Sequence, residues 1–551
     1  MLVACGDSSP QDSSKPLPQP SGGSGGTGAD GASGAAGGSG GSGATGGSGG
    51  SGGLGGSGAG GATGGSGGVG GTGGSGAGGN GEGACDSAGP VIESGGAPTR
   101  FLLRGTVITP TGALDGEVLV DGNLITCVAA SCSAAPGAAG ATVIDTNGVI
   151  APGLIDAHNH ILFDIFDEDD WSPMQTYTNH NQWPNDPKYG AMVDAKQWLE
   201  GQGASPVDLT CELNKYGELK ALIAGTTAVQ ASAGADSCFS SLSRTIDTSS
   251  NGLPDDNMQT STLFPSTSSA DGVCTNFGDG DTTAYVIHIA EGVDTTARNE
   301  FDNLNTISTI DGCLIDEKTT IIHGTALDPS RLAIMGANDM GLVWSPRSNV
   351  FLYGAGTDYS KTTDIPTALA EGIRVSIAPD WSIGGSQNML DELRFADEVD
   401  NAEWGDILSP RDLVEMGSIV AADVLGVDQY IGSIAVGKRA DLAVYLPLEA
   451  DAYESILAAT PREVTLVMVD GRILYGDGDL DQLAPANGVV ETLDVCCRSK
   501  FLAIAVNGGT NKLNQTFTDI ESILTVEMQT YDDENFTEWD FAPITPIVKC
   551  P

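Results

Sequence analysis

Basic residues are scarce in this chain: 24 Lys and Arg stand against 72 Asp and Glu, a formal charge of -48 at pH 7. Phosphates and anionic membrane surfaces are held by Lys and Arg, so this balance argues against nucleic acid and such surfaces as partners. It leaves a self-repelling, solvated surface. No stretch approaches the ~20 apolar residues of a membrane-spanning helix. No C-x-x-C pair occurs, which argues against a zinc ribbon. Histidine is rare too, with five in 551 residues, and four of the five stand in positions that suit chemistry.

Large apolar side chains are almost missing from residues 6 to about 84, which repeat Gly-Gly-Ser-Gly. Such a stretch cannot bury a core, and we read residues 6 to 96 as a disordered, flexible tether. Met1-Leu-Val-Ala-Cys5 resembles a bacterial lipobox with Cys5 as the lipidated residue. The basic and apolar regions of a full signal peptide do not precede it, so the start reads as truncated or wrongly assigned. A lipid anchor followed by a tether implies an enzyme displayed at the bacterial cell envelope, touching the membrane only through that anchor. Cys127 and Cys132 are close enough to close a small loop, and Cys496, Cys497 and Cys550 cluster near the C-terminal end. Disulfides there fit an oxidising compartment.

The histidines follow short apolar, β-prone runs. His158 and His160 come after Ala151-Pro-Gly-Leu-Ile-Asp-Ala; His288 comes after Tyr285-Val-Ile, with Glu291 three residues on. His323 follows Thr320-Ile-Ile, and Asp380 closes Arg374-Val-Ser-Ile-Ala-Pro. In a strand, residues i and i+2 share a side, so His158 and His160 can face one ion while Asn159 points away. Neutral imidazole suits zinc and iron. In parallel β/α barrels, catalytic residues gather at strand C-termini.

From about 151 to 405 strand and helix signals alternate, as in parallel βα units, over the length of a barrel. Lys215 to Ile223 reads as a helix running into the strand Thr226-Thr-Ala-Val-Gln. Further strands are expected at Thr260-Ser-Thr-Leu-Phe, at the three runs ending in His288, His323 and Asp380, and at Gly341-Leu-Val-Trp. With the H-N-H run, that makes seven of the eight strands a barrel needs. Residues 97–150 read as short strands with an Asp-Gly turn signal at Asp121-Gly122. Residues 406–484 read as a helix beginning Ser409-Pro410 followed by strands. Residues 485–551 form an extension without a functional reading, in which Thr516 to Met528 suggests an amphipathic helix.

The order β-segment, G-L-I-D-A-H-N-H, barrel, I-G-S-I-A-V-G-K-R-A-D-L-A-V-Y and M-V-D-G-R-I-L resembles the amidohydrolase superfamily. The resemblance covers residues 98 to 480 and is strongest to the branch of cytosine, guanine and adenosyl-homocysteine deaminases and triazine hydrolases. It implies an α/β fold, a (β/α)8 TIM-type barrel with a small β-sandwich formed by segments flanking the barrel. That branch carries H-x-H, H-x-x-E, a lone His and an Asp, here His158/His160, His288/Glu291, His323 and Asp380. Ser345-Pro-Arg-Ser-Asn-Val-Phe-Leu resembles its P-x-S-N-x-x-L loop. Binuclear members bridge two metals with a carbamylated Lys or a Glu from a middle strand. Here no Lys lies between Lys220 and Lys318 and no Glu between Glu218 and Glu291, so a mononuclear site is expected. Two tryptophans depart from the branch: Trp344 before Ser345-Pro, and Trp381 after Asp380.

The resemblance makes His158, His160, His288 and Asp380 ligands of one divalent ion, zinc favoured over iron. Such an ion lowers the pKa of bound water towards ~7. Asp380 takes the water's proton, Glu291 carries a proton to the leaving nitrogen, and His323 orients the water. Gln230, Trp344, Arg347 and Trp381 are pocket-lining candidates by position, and His180 is either a substrate contact or a surface-loop residue. The expected activity is hydrolysis of a non-peptide C–N bond of a small molecule, by a deaminase or cyclic amidine/amide hydrolase. The alternatives are the same geometry acting on C–Cl or a peptide-like amide, and a binding lipoprotein without activity. A homo-oligomer is compatible with the sequence.

Overall fold

A computed structural model describes residues 89–231, 242–248, 251–254, 258–262 and 264–550. Of the expected anchor and tether, Cys5 and residues 6 to 88 lie outside the described residues, whereas residues 91–94, placed in the tether above, form a strand paired with a later one.

The chain opens as β1 (Val91–Ser94), β2 (Ala97–Thr109), β3 (Gly112–Asp121), β4 (Leu124–Ala129) and β5 (Ala141–Pro152). The Asp-Gly signal becomes the two-residue turn between β3 and β4, with Asp121 opposite Leu124 and Gly122 at φ 64°. The chain then enters β6 (Leu154–Asp156), β7 (Thr226–Val229), β8 (Arg244–Thr245), β9 (Met258–Ser261), β10 (Ala284–Ile289), β11 (Thr319–His323), β12 (Gly341–Trp344) and β13 (Arg374–Ile377). It returns through β14 (Leu442–Tyr445), β15 (Val464–Val469) and β16 (Arg472–Asp477) to β17 (Gly488–Val495) and β18 (Arg498–Val506).

The strands from β6 to β13 form two parallel sheets, ordered β6-β7-β8 and β13-β12-β11-β10-β9. An isolated parallel bridge from Asn159 to Asp380 ties the end of β6 to the end of β13. Among the described residues no pairing joins β8 to β9. β8 is the strand the sequence did not signal, because two residues carry no periodicity.

Alternation along these strands separates two cores. In β10, Tyr285, Ile287 and Ile289 pack outward with the helices, while Ala284 and Val286 pack inward beside Ile155, Ala228, Ile322 and Val343. His288 shares the inward phase, which is why a strand with no other polar residue inside can present it at its C-terminal end.

The flanking segments lie in one ten-stranded sheet, ordered β17-β18-β16-β15-β14-β5-β2-β3-β4, with β1 on β5. Residues past 484 supply two of its strands, where the sequence suggested only residues 97–150 and 406–484. Leu466 and Met468 join Phe101, Leu103, Val118 and Val120 on one face, and Val467 and Val469 face the larger core. The Arg-Ala-Asp-Leu run has a structural role. Its Asp441 accepts Arg244 Nε at 2.8 Å and Nη2 at 3.0 Å, tying β8 to this sheet through a buried bidentate pair.

The C-terminal extension packs back across the parallel strands' helices. Its helix Phe517–Asp533 is capped by Thr516, whose side chain and that of Asp519 form a reciprocal capping box. Disulfides join Cys127 to Cys132, Cys274 to Cys313 and Cys496 to Cys550, and Cys211 is disulfide-bonded as well. Cys497 is free and exposed.

Candidate metal centre

Three strand ends carry the cluster. His158 Nε2 lies 3.0 Å from Asp380 Oδ1 and 3.1 Å from His288 Nε2, and His160 Nε2 lies 3.5 Å from the same Asp380 oxygen. One ligand atom from each of these four residues falls within 4.8 Å of the others. His158, His288 and Asp380 are buried and His160 is half-buried. Asn159 turns away, its amide donating to Asp156 at 2.8 Å. The backbone pairs behind the cluster, with Asp380 N donating to His158 O at 3.1 Å and His160 N to Asp380 O at 2.6 Å. Asp380 and His323 both sit at left-handed φ, 73° and 66°. In β11, Ile321 packs outward and Ile322 inward, so a regular strand would send His323 outward; the left-handed turn returns it to the cluster. Its ring lies 5.3 Å from that of His288 and 5.7 Å from that of His158.

The donor set fits a cation. Gln230 Nε2 donates to Asp247 Oδ2 at 3.2 Å, which turns Gln230 Oε1 towards His158 Nδ1, also 3.2 Å away. His158 Nδ1 therefore carries the hydrogen, and its Nε2 presents a lone pair to Asp380 and His288. Lone pairs and a carboxylate converging at these distances repel unless a positive charge lies among them. Burial, then the neighbouring His158, lowers the His160 pKa to about 3. Burial and the surrounding imidazoles likewise hold His288 well below the ordinary histidine range. Burial alone would raise Asp380, but the facing imidazoles, His158 first, outweigh it and keep the carboxyl well below its usual value. Neutral imidazoles and an ionised carboxylate are the protonation states of metal ligands. Asp380 Oδ2 is fixed by Ser348 Oγ, which donates to it at 2.5 Å.

Glu291 stands beside this cluster, its Oε1 accepting Tyr353 OH at 2.9 Å. His180, read above as a substrate contact or a surface-loop residue, approaches Glu291 Oε2 to 3.6 Å and Glu300 Oε1 to 2.6 Å. Trp381 lies 6.1 Å from the His160 ring, inside an aromatic group with Trp171, Trp183, Tyr189 and Phe163. Gln230 backs His158. One of the pocket-lining candidates, Trp344, is turned away from the cluster. Trp344 is in the outward phase of β12, its indole N–H bonded to Thr362 at 2.7 Å and its ring on Trp404. Arg347 donates to Ser386 at 2.8 Å and lies over the Phe395 ring at 4.3 Å. Ser348 stood within the quoted Ser345-Pro-Arg-Ser-Asn run, and Tyr353, Glu300 and Asp247 carried no signal in the sequence.

Residues 272–474 match the Amidohydrolase family. The chain carries an amidohydrolase family domain. The matched span includes His288, Glu291, His323 and Asp380; the His158/His160 pair precedes it. Longer alignments extend this amidohydrolase likeness. The 5'-deoxyadenosine deaminase of Methanothermobacter thermautotrophicus is 23% identical over 417 residues, 70% of this chain and 95% of that protein. The 5-methylthioadenosine/S-adenosylhomocysteine deaminase of Symbiobacterium thermophilum is 27% identical over 422 residues, 69% of this chain and 94% of that protein. Among solved structures, an atrazine chlorohydrolase variant from Arthrobacter aurescens TC1, complexed with zinc and atraton, is similar at TM-score 0.53 and 17% identity, covering 68% of this chain and 95% of that one. Guanine deaminase from Bradyrhizobium japonicum is similar at TM-score 0.50 and 17% identity, covering 69% and 99%. These structural likenesses support a TIM-barrel-like α/β fold for this chain.

Proposed function

We propose that this protein is a mononuclear, metal-dependent hydrolase that cleaves a non-peptide C–N bond of a small molecule, in the manner of a deaminase. The observation that carries the reading is the convergence of His158 Nε2, His160 Nε2, His288 Nε2 and Asp380 Oδ1 at three strand ends. The gap without Lys or Glu between residues 220 and 291 supports one ion rather than two. Zinc is the ion proposed, from the imidazole-carboxylate set and from its presence in the triazine-hydrolysing neighbour.

When bound, the ion supplies a water activated near neutral pH. His158, His160, His288 and Asp380 would hold the ion. Asp380, ionised and fixed by Ser348, is placed to accept the water's proton as its oxygen bonds to the trigonal carbon. Glu291 carries a proton to the nitrogen, which leaves as ammonia or an amine when the C–N bond breaks. His323, neutral because burial outweighs the pull of Glu291 and Asp380, orients the oxygen. The reading includes closure of the parallel strands into one (β/α)8 barrel between β8 and β9, with the ten-stranded sheet folded over as a β-sandwich.

The proposal extends to location. The disulfides fit an oxidising compartment, and Cys5 with the Gly/Ser-rich stretch would anchor and tether the enzyme at a bacterial envelope. Elemental analysis joined to ammonia release over a panel of amino-substituted heterocycles and their nucleosides tests the function. About one zinc per chain with ammonia from a panel member is expected; two ions per chain, or a loaded protein that releases no ammonia, would overturn the reading.

A further inference from the structure

We propose that His180 is a positioning residue for Glu291: backed by Glu300, it holds the Glu291 carboxylate in place as a cation on the side opposite Tyr353. The inference rests on Glu291 being the proton carrier.

The backbone brings the two together. His180 N donates to Glu291 O at 3.2 Å and Val293 N to Thr178 O at 2.8 Å, a short ladder that includes the antiparallel bridge between Asn179 and Gly292. Thr178 and Asn179 side chains both donate to Asp294 Oδ2, at 2.8 and 2.7 Å. Gly292 permits the approach: at φ 150°, a Cβ there would lie 2.6 Å from Thr178 O and 2.7 Å from Asn179 Cα.

The side chains complete the arrangement. His180 faces a carboxylate with each ring nitrogen, Nδ1 towards Glu291 Oε2 at 3.6 Å and Nε2 towards Glu300 Oε1 at 2.6 Å. Nε2 is at hydrogen-bond distance from Glu300, and with a second carboxylate at ion-pair distance from Nδ1 the pair of acidic neighbours favours the imidazolium. Glu300 is itself fixed, its Oε2 accepting Ala290 N at 2.9 Å. Burial would lower the His180 pKa, but the Glu300 hydrogen bond and the charges of Glu291, Glu300 and Asp294 outweigh it and raise it to about 9. Glu291 is thus faced by the His180 cation, by the Tyr353 hydroxyl and, from β11, by neutral His323. With Tyr353 bonded to one oxygen and the His180 ring facing the other, the Glu291 carboxylate is set in one position from which to take up and return a proton.

The test has a readout independent of turnover. In the zinc-loaded full chain, nitrogen-15 NMR of the histidine rings should show His180 doubly protonated at pH 7.5. Its titration midpoint should fall in Glu291→Gln and in Glu300→Gln. A neutral His180 at pH 7.5, or a midpoint unmoved by Glu291→Gln, overturns the proposal. On a substrate that releases ammonia, His180→Asn should move the acidic limb of the kcat/KM profile upward by about one pH unit, with zinc content unchanged. His180→Arg should bring the limb back. A limb that stays in place in His180→Asn while kcat falls would make the residue merely structural and overturn the proposal. Full activity in Glu291→Gln with the NMR coupling intact would instead refute Glu291 as the proton carrier, so the two failures are told apart.

Discussion

At the scale of single residues, the proposed mechanism puts the ion on His158, His160, His288 and Asp380, gives Asp380 the water's proton as well, and leaves proton delivery to Glu291 outside the ligand set. His158→Ala or His288→Ala removes one of the four proposed ligands from the cluster. Each should lose bound metal, read by elemental analysis of the purified protein. Glu291→Gln and His323→Asn leave those four ligands in place. Both should keep metal and melting temperature, while Glu291→Gln lowers turnover by ~10²-fold or more. If His323→Asn instead empties the site, His323 is a ligand. His180 also gives a pH dependence of stability. Its folded pKa, about 9, lies above the ordinary 6.5, so its contribution is full below pH 6.5 and is lost as pH rises through 9. The Tm advantage of the parent over His180→Asn should therefore shrink between those values, as thermal melts in a pH series would show.

At the scale of elements, strands deliver side chains and irregular backbone aims them. β10 delivers His288 by simple alternation, whereas β11 and the segment after β13 need left-handed residues at His323 and Asp380. Backbone strain of this kind costs on the order of 1–3 kcal/mol per residue and persists where surrounding structure holds it. Gly292 is the element-scale position most open to test. Gly292→Ala forces a Cβ against the Thr178–Asn179 backbone, which cannot swing aside as a side-chain tip can. It should destabilise by about 1–3 kcal/mol, by analogy with overpacked cores, and weaken turnover with metal retained. Unchanged denaturant midpoint and activity would show that the approach is dispensable.

At the scale of the whole molecule, the C-terminal extension is part of the fold. Tyr216 OH donates to Thr545 O at 2.5 Å, and Thr545 Oγ1 donates to Asp167 Oδ2 at 2.7 Å. Phe541 meets Phe166 at 5.8 Å, and Phe166 O accepts Ser382 Oγ at 2.7 Å, two residues from Asp380. The Cys496–Cys550 disulfide closes a separation of 54 residues over this strap. Chain entropy gives such a closure a stabilisation of up to about 4 kcal/mol. Cys550→Ser should lower Tm measurably in non-reducing buffer; equal melting of the two proteins would assign this disulfide no share in stability.

The sequence by itself determined which residues gather at the candidate metal centre, because H-x-H and the His- and Asp-terminated apolar runs have a meaning that strand alternation and metal chemistry supply locally. It also determined the alternation of strand and helix, and the helix after Thr516, since periodicity and capping are local. The same alternation already placed Trp344 outward, beside inward Val343, though position near Ser345-Pro suggested a pocket residue. Only the tertiary structure decided the rest. Two-residue β8 is held by its partners, through Arg244 and Asp441, rather than by its own pattern. His180 meets Glu291 across 111 positions, and Thr545 meets Asp167 across 378, by packing that no local pattern encodes. Tyr353, Glu300 and Ser348 gain their meaning the same way: a hydroxyl or a carboxylate is ordinary in sequence and acquires a role only from the charge that folding sets beside it.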